Sequence, residues 1–167
     1  IITGSGSGSL SYPKVTDSAS QLSASRTASG GSADIDGKTI VINTATSLDQ
    51  LATIVTNAGA ANLVSHSAVT DSYANLTNAS KAGNNNVNIV NKTVIANTAA
   101  TLDQLAALKA IVEPGGGAGS FTHNAVTDSY ANLVDANKAG QNNVNIVNKT
   151  VIANTAATLD QLAALKA

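Results

Sequence analysis

The chain has 167 residues and a formal net charge of −1, and charged residues make up 11% of it against about 25% in ordinary soluble domains. This balance gives no electrostatic basis for binding nucleic acid or an anionic membrane surface. The chain contains no cysteine, which excludes disulfides and thiolate metal sites. It also has no run of roughly 18–20 apolar residues that would predict insertion into a membrane.

The sequence is dominated by an internal repeat. Residues 69–110 recur at 126–167 with four differences, and a more divergent copy starts at Val15. Self-similarity at a nearly fixed period decides the architecture before any local pattern does. It divides the chain into a Gly/Ser connector (1–9), repeat 1 (10–61), repeat 2 with a Gly-rich connector (62–118) and repeat 3 (119–167).

Each repeat is predicted to begin with a short strand. Segments 10–15, 64–69 and 121–126 start and end with apolar residues and are polar between them, which is typical of a half-buried strand. His66 and His123 occupy the same position in this strand, where repeat 1 has Tyr12. One histidine per repeat is too few for a metal site, so we expect an exposed or half-buried position that accepts either ring.

An aspartate then precedes a run of good helix formers. Because an Asp side chain accepts hydrogen bonds from the first N–H groups of a helix, this position predicts a helix N-cap. The helix should run for two to three turns and end at a glycine, Gly83 or Gly140. The predicted caps are Asp17, Asp71 and Asp128.

An Asn-rich segment follows, at residues 85–96 and again at 142–153. Val87 and Ile89 alternate with asparagine, which predicts extended backbone, and Thr93-Val94-Ile95 continues it. Asn91-Lys92 interrupts the pattern, so the segment is either a tight hairpin or one strand broken by a corner. Equivalent asparagines of stacked repeats could form ladders of side-chain amides.

The last element of each repeat is the clearest helix. Ser47, Thr101 and Thr158 each start a capping-box pattern, Ser/Thr-x-x-Gln. Leucines then follow at three- and four-residue steps and form one apolar face. In the third copy these residues are Leu159, Leu162 and Leu165.

Together the elements predict an α/β fold built as a tandem-repeat solenoid of strand–helix units, with right-handed crossovers. Such a unit cannot bury its apolar faces alone and must stack on its neighbours. The alternative is a row of small α+β repeat modules, each with its own β-hairpin.

The sequence contains no constellation that predicts catalysis. The serines lie in connectors and caps, so no Ser/His/Asp arrangement is indicated. Residues 115–117 are glycines but lack the Lys-Ser/Thr of a phosphate-binding loop. We therefore predict a non-enzymatic protein with no cofactor and no metal site.

The pattern VTDSYANL, followed by an Asn/Val segment and TAATLDQL, resembles the tandem Asp-Ser/Thr-x-Ala-Asn-Leu repeats of giant cyanobacterial and proteobacterial cell-surface and adhesin-like proteins. The resemblance covers nearly the whole chain. It implies a secreted protein at the cell surface or outside the cell, with a structural or adhesive role. The calcium-binding nonapeptides Gly-Gly-x-Gly-x-Asp that often accompany such repeats do not occur in this sequence.

We therefore expect a structural repeat protein of an extracellular filament, sheath or surface layer that self-assembles head to tail. Its partners would be further copies, or adjoining repeats of a longer chain, with glycans as a further class and without nucleic acid or membrane insertion. The expected assembly ends are Ile1 and Ile2 on one side and Leu159, Leu162 and Leu165 on the other. The alternative function is that of stalk or binding repeats in a large secreted adhesin.

Overall fold

A computed structural model describes residues 12–25, 35–140 and 145–166. In these ranges the chain is an α/β protein in which strands alternate with helices. The strands are short, as predicted for the opening strand of each repeat. They are β1 (Lys14–Asp17), β2 (Thr39–Ile42), β3 (Val64–His66), β4 (Ala68–Asp71), β5 (Thr93–Ala96), β6 (Ser120–His123), β7 (Ala125–Asp128) and β8 (Thr150–Ala153).

The helices fall into two kinds. Those that follow the first strand of a repeat are short, and those that follow the second are longer and carry the leucine face. They are α1 (Ala19–Ala24), α2 (Leu48–Ala58), α3 (Tyr73–Leu76), α4 (Ala79–Ala82), α5 (Leu102–Val112), α6 (Tyr130–Leu133), α7 (Ala136–Ala139) and α8 (Leu159–Lys166).

Every strand pair among the described residues is parallel. The sheets have the orders β1-β2-β3, β4-β5-β6 and β7-β8. In the first sheet Lys14 pairs with Thr39, and in the second Ala68 pairs with Thr93. Parallel neighbours require a crossover connection, and the helices supply it. A tight hairpin in the Asn-rich segment is therefore excluded at residues 84–96, where the chain instead turns a corner before β5.

One bent segment joins each pair of neighbouring sheets. β3 and β4 are separated only by Ser67, yet β3 pairs with β2 in the first sheet and β4 pairs with β5 in the second. Asn124 separates β6 and β7 in the same way. The strands predicted over 64–69 and 121–126 thus exist, but each is interrupted and contributes to two sheets.

The core lies between the strands and the helices. Inward side chains of the strands, such as Ile40, Val69 and Val94, are fully buried against helix residues such as Ile54 and Leu108. Most of these side chains are aliphatic and of moderate size, which suits a thin layer with short spacings between strands and helices. The apolar face predicted for the second helix of each repeat is therefore the face that α2 and α5 bury.

The first helix of repeats 2 and 3 differs from the prediction of one helix of two to three turns. It is divided into two single turns, α3 with α4 and α6 with α7. The division falls at Asn78 and Asp135, whose side chains accept the backbone N–H of the residue two positions on and so cap a new turn. Short polar side chains compete with helical hydrogen bonds in this way. Gly83 and Gly140 do follow the second turn, with positive φ.

The Asn-rich segment is also not extended where strand periodicity predicts it. Residues 84–92 form turns, and the strand begins only at Thr93. Asn85, Asn86 and Asn91 have φ of 55–57°, a left-handed conformation that asparagine tolerates better than most residues. The Asn88 side chain donates to the carbonyl of Lys81 within its own repeat rather than to an equivalent asparagine.

A close backbone approach at Gly119 gives a test of this packing. A Cβ there would lie 2.5 Å from the Val112 carbonyl oxygen and 3.1 Å from Asn91 Cα. Because both atoms belong to the backbone, we expect Gly119→Ala to lower the free energy of unfolding by about 1–3 kcal/mol. Urea denaturation followed by circular dichroism measures this change. The exposed neighbour is the control: Ala118→Ser should stay within about 0.5 kcal/mol of the parent, and an equal loss in both variants would contradict the assignment.

Candidate repeat-stacking interface

The helix that follows the first strand of each repeat is capped by serine, which corrects the prediction for Asp17, Asp71 and Asp128. The N-cap residues are Ser18, Ser72 and Ser129, each one position later. Each serine hydroxyl accepts an N–H three residues on, as an N-cap side chain does. The aspartates end strands β1, β4 and β7, and two of them, Asp71 and Asp128, accept the first N–H of a helix in the preceding repeat.

Asp71 joins two repeats. Its Oδ2 accepts the backbone N–H of Leu48, the first residue of α2 in the preceding repeat, at 2.9 Å. Its Oδ1 accepts the N–H of Ser72 and the side-chain amide of Asn75, both at 2.7 Å. Asp71 as a whole is 6% exposed, and a buried carboxylate requires donors of this kind. Asp71 therefore caps a helix of another repeat while holding its own strand end in place.

Asp128 repeats this arrangement at the next junction. Its Oδ2 accepts the N–H of Leu102, the first residue of α5, at 2.9 Å, and its Oδ1 accepts from Ser129 and Asn132. Burial raises the pKa of the Asp128 carboxyl, but the three hydrogen bonds together with the charge of Lys138 outweigh burial and lower it below its usual value. The group is therefore held in its charged, hydrogen-bond-accepting form.

Within each repeat a threonine performs the equivalent task. The first N–H of α3 donates to the Thr98 hydroxyl, which lies after the next strand, at 2.9 Å. The same bond forms in repeats 1 and 3. We call each strand, together with the helix or helices that follow it, a unit. The capping ladder is the set of hydrogen bonds from the first N–H of a helix to a side chain of the next unit. Its members are Ala19 N to Thr44, Leu48 N to Asp71, Tyr73 N to Thr98, Leu102 N to Asp128 and Tyr130 N to Thr155.

The threonines of the capping ladder are functional residues that the sequence reasoning missed. Thr44, Thr98 and Thr155 each follow an asparagine at the same place after the second strand of a repeat. This repeated Asn-Thr-Ala is the signal that could have found them. Their bonding partners lie 25 positions away, so no local pattern identifies the contact.

Exposed ion pairs lie at the same junctions between repeats. Lys81 of α4 pairs with Asp49 of α2 at 2.7 Å, and Lys138 of α7 pairs with Asp103 of α5. Both aspartate side chains are about two-thirds exposed, and exposed pairs contribute only about 0–1 kcal/mol each. They therefore add little to the stability of the contact.

The second helix of each repeat carries the caps that its sequence predicts. Ser47 and Thr101 are the N-caps of α2 and α5, and both complete a reciprocal capping box with the glutamine three positions on. Thr158 makes the same pair of hydrogen bonds with Gln161 at the start of α8. These caps satisfy the third helical N–H and leave the first N–H for the capping ladder.

The histidines bind the Asn-rich turn. Nε2 of His66 donates to the Asn88 carbonyl at 2.9 Å, and Nε2 of His123 donates to the Asn145 carbonyl at 2.8 Å. His66 is half-buried as expected, whereas His123 is 6% exposed. Burial lowers the pKa of both imidazoles, the carbonyl contact opposes this, and a nearby lysine lowers it further. Both rings are therefore held neutral.

The apolar face of α8 is largely uncovered among the described residues. Leu159 is 85% exposed and Leu162 is 43% exposed, whereas their equivalents in repeat 2, Leu102 and Leu105, are each 3% exposed. Leu165 is half-buried. Together with Ile146, Val147 and Val151 the last two leucines line an open groove of about 790 Å³. Ile1 and Ile2, the other expected assembly ends, lie outside the described residues.

The described residues hold no group of three or more His, Asp or Glu side chains that could bind a metal ion. Across the same ranges, every helix is too short or too polar to span a membrane. No protein-family model, curated protein or solved structure matches the chain.

The carboxylate of Asp71 gives the sharpest test of the capping ladder. Asp71→Ala leaves the buried Leu48 N–H without an acceptor, which should lower the free energy of unfolding by about 1–3 kcal/mol. Thermal and urea unfolding of dilute protein measure the loss. The matched control is Asp17→Ala, because Asp17 is exposed and, among the described residues, accepts only from its neighbour Ser18. It should change stability by less than about 0.5 kcal/mol. Equal effects in the two variants would refute the junction role of Asp71.

The buried imidazoles predict a pH dependence. Their pKa in the folded chain lies below the usual 6.5, so the unfolded chain binds protons more readily. Stability should therefore be constant above about pH 6.5 and fall as the pH is lowered through that value. Urea midpoints at pH 7.5, 6.5 and 5.5 measure this. In a His66→Gln, His123→Gln variant an amide can donate in place of each ring, and the decline between pH 7.5 and 5.5 should disappear; its persistence would assign the dependence to other groups.

Proposed function

We propose that this chain is a structural repeat protein whose strand–helix units continue as an α/β solenoid and assemble head to tail in an extracellular filament, sheath or surface layer. One observation carries the proposal. The two repeat junctions use the same contact, a buried carboxylate on the first N–H of the preceding helix, at 2.9 Å in both. A contact that recurs unchanged at every junction is what a stacking array requires.

The way in which the units depend on each other supports this proposal. The first N–H of α2 and of α5 donates to a residue of the following repeat. In a repeat without its following neighbour, the first N–H of the second helix would have no acceptor and the apolar face of that helix would be exposed. Solenoid repeats have this nearest-neighbour dependence, whereas independent α+β beads would complete their own helix ends.

The hydrogen bonding of the titratable side chains favours a structural role over a catalytic one. The imidazoles of His66 and His123 are held neutral and bonded to backbone carbonyls. The two buried carboxylates are each bonded to three donors within the fold. Groups engaged in this way hold the units together and are not poised for proton transfer. The low charge and the near-identity of repeats 2 and 3 fit a protein that presents one repeated surface.

Negative-stain microscopy together with light scattering tests the proposal. The purified protein should form unbranched fibres or a regular layer as its concentration is raised, and scattering should grow with it. Protein that remains monomeric at every concentration would contradict self-assembly. Binding to immobilised glycans by such a monomer would instead favour the alternative role in the stalk or binding repeats of an adhesin.

A further inference from the structure

The capping ladder is incomplete at both sides of the described chain, and the two missing halves fit each other. Oδ1 of Asp17 accepts from Ser18 at 2.7 Å. No donor reaches Oδ2 within the described ranges, although the equivalent oxygens of Asp71 and Asp128 each bind a helix N–H. The first N–H of α8, that of Leu159, likewise finds no acceptor in the part of the chain that the structure describes.

The equivalent helix of repeat 2, α5, shows which elements cover a face like that of α8. In repeat 2 the corresponding face of α5 packs against β6 and β7, which form the opening strand segment of repeat 3. There Leu102 and Leu105 are almost fully buried, in contrast to Leu159 and Leu162. The occupant that fits α8 is therefore the opening strand segment of another repeat.

The third sheet points to the same occupant. It holds β7 and β8 among the described residues, whereas the other two sheets each add a third strand, β3 or β6, beside the second. β6 has the sequence SFTH at Ser120–His123. The aligned segment of repeat 1, residues 9–12, reads SLSY, with an apolar and an aromatic residue at the same two places. A strand of this pattern can extend a parallel sheet edge through its backbone.

We propose that a second copy of this chain occupies the α8 face, with the Asp17 carboxylate of that copy accepting the Leu159 N–H. This inference rests on the proposed function and specifies the contact that would carry it. The donor side and the acceptor side are different surfaces of one molecule, so the interface is heterologous and gives open chains or rings rather than two-fold dimers. Asp17 then holds the same position between copies that Asp71 and Asp128 hold within one.

Two variants remove one partner each without disturbing the fold. Asp17→Ala deletes the acceptor, at an exposed position. Leu159→Pro deletes the donor itself, because proline has no N–H, and proline is well tolerated at the first position of a helix. Thr158 before it is the cap residue of that helix, and the residue before a proline favours the same extended conformation as a cap.

The two variants should complement each other. Sedimentation or light scattering of each alone should give an association constant at least about ten-fold below that of the parent. When they are mixed, the intact Leu159 side of the Asp17→Ala variant can bind the intact Asp17 side of the other. The mixture should therefore yield one-to-one heterodimers, and association should stop at two molecules. An isologous interface cannot produce this result.

Each variant has a matched control. Ser20→Ala alters an exposed residue of α1 whose equivalents are Ala74 and Ala131, and it should associate like the parent. Leu159→Ala keeps the N–H and removes only the side chain, so it should weaken association less than Leu159→Pro. Equal losses in these two variants would overturn the hydrogen bond as the basis of the contact. Melting curves of dilute protein verify that every variant is folded.

The outcomes separate this inference from the proposed function. If the parent assembles while Asp17→Ala and Leu159→Pro assemble equally well, the Asp17–Leu159 contact is wrong and the structural role stands. Mixed variants that remain monomeric while the parent assembles would also overturn the contact. If the parent is monomeric at every concentration, both the contact and the proposed self-assembly are refuted.

Discussion

The fold depends on what becomes of the first N–H group of each helix. Such a group has no partner inside its own helix and must find an acceptor elsewhere. Several helices here have only four residues, so the end groups are a large part of their hydrogen bonding, and such helices are unstable alone. The capping ladder places each acceptor in the next unit. A unit is thus completed by its successor, which couples the formation of one to the formation of the other.

Asp and Thr divide this task according to burial. The bonds to Leu48 and Leu102 are buried, whereas those to Tyr73 and Tyr130 are exposed. A charged acceptor makes a stronger bond than a hydroxyl, and the difference is larger where water is excluded. The carboxylates accordingly lie at the junctions between repeats, each stabilised by two further donors. The hydroxyls lie within a repeat, where the covalent connection already keeps the units together.

The sequence predicts the elements whose signals are local. The capping boxes at Ser47 and Thr101 and the leucine face of α5 involve residues three or four positions apart, and all of them occur. Asp71 is different, because its position before a helix predicts a cap on that helix. The N–H that its Oδ2 accepts belongs instead to Leu48, 23 positions earlier. The prediction of an extended Asn-rich segment was wrong for a second reason. Alternation of Val with Asn fits a strand only if the backbone is extended, and Asn85 and Asn91 instead take left-handed conformations.

The bent segments through Ser67 and Asn124 have a consequence for how such a chain can change its length. The first half of each bent segment belongs to one sheet and its second half to the next sheet. A deletion that ends between the two halves of one segment would therefore leave an unpaired edge on each of the two sheets. Removing or adding the stretch from Val69 to the residue before Val126 instead preserves every bent segment and every rung of the capping ladder. The coding sequences of repeats 2 and 3 specify nearly the same residues. Unequal recombination between them would yield proteins that differ by whole repeats and still fold, a source of length variation among otherwise identical genes.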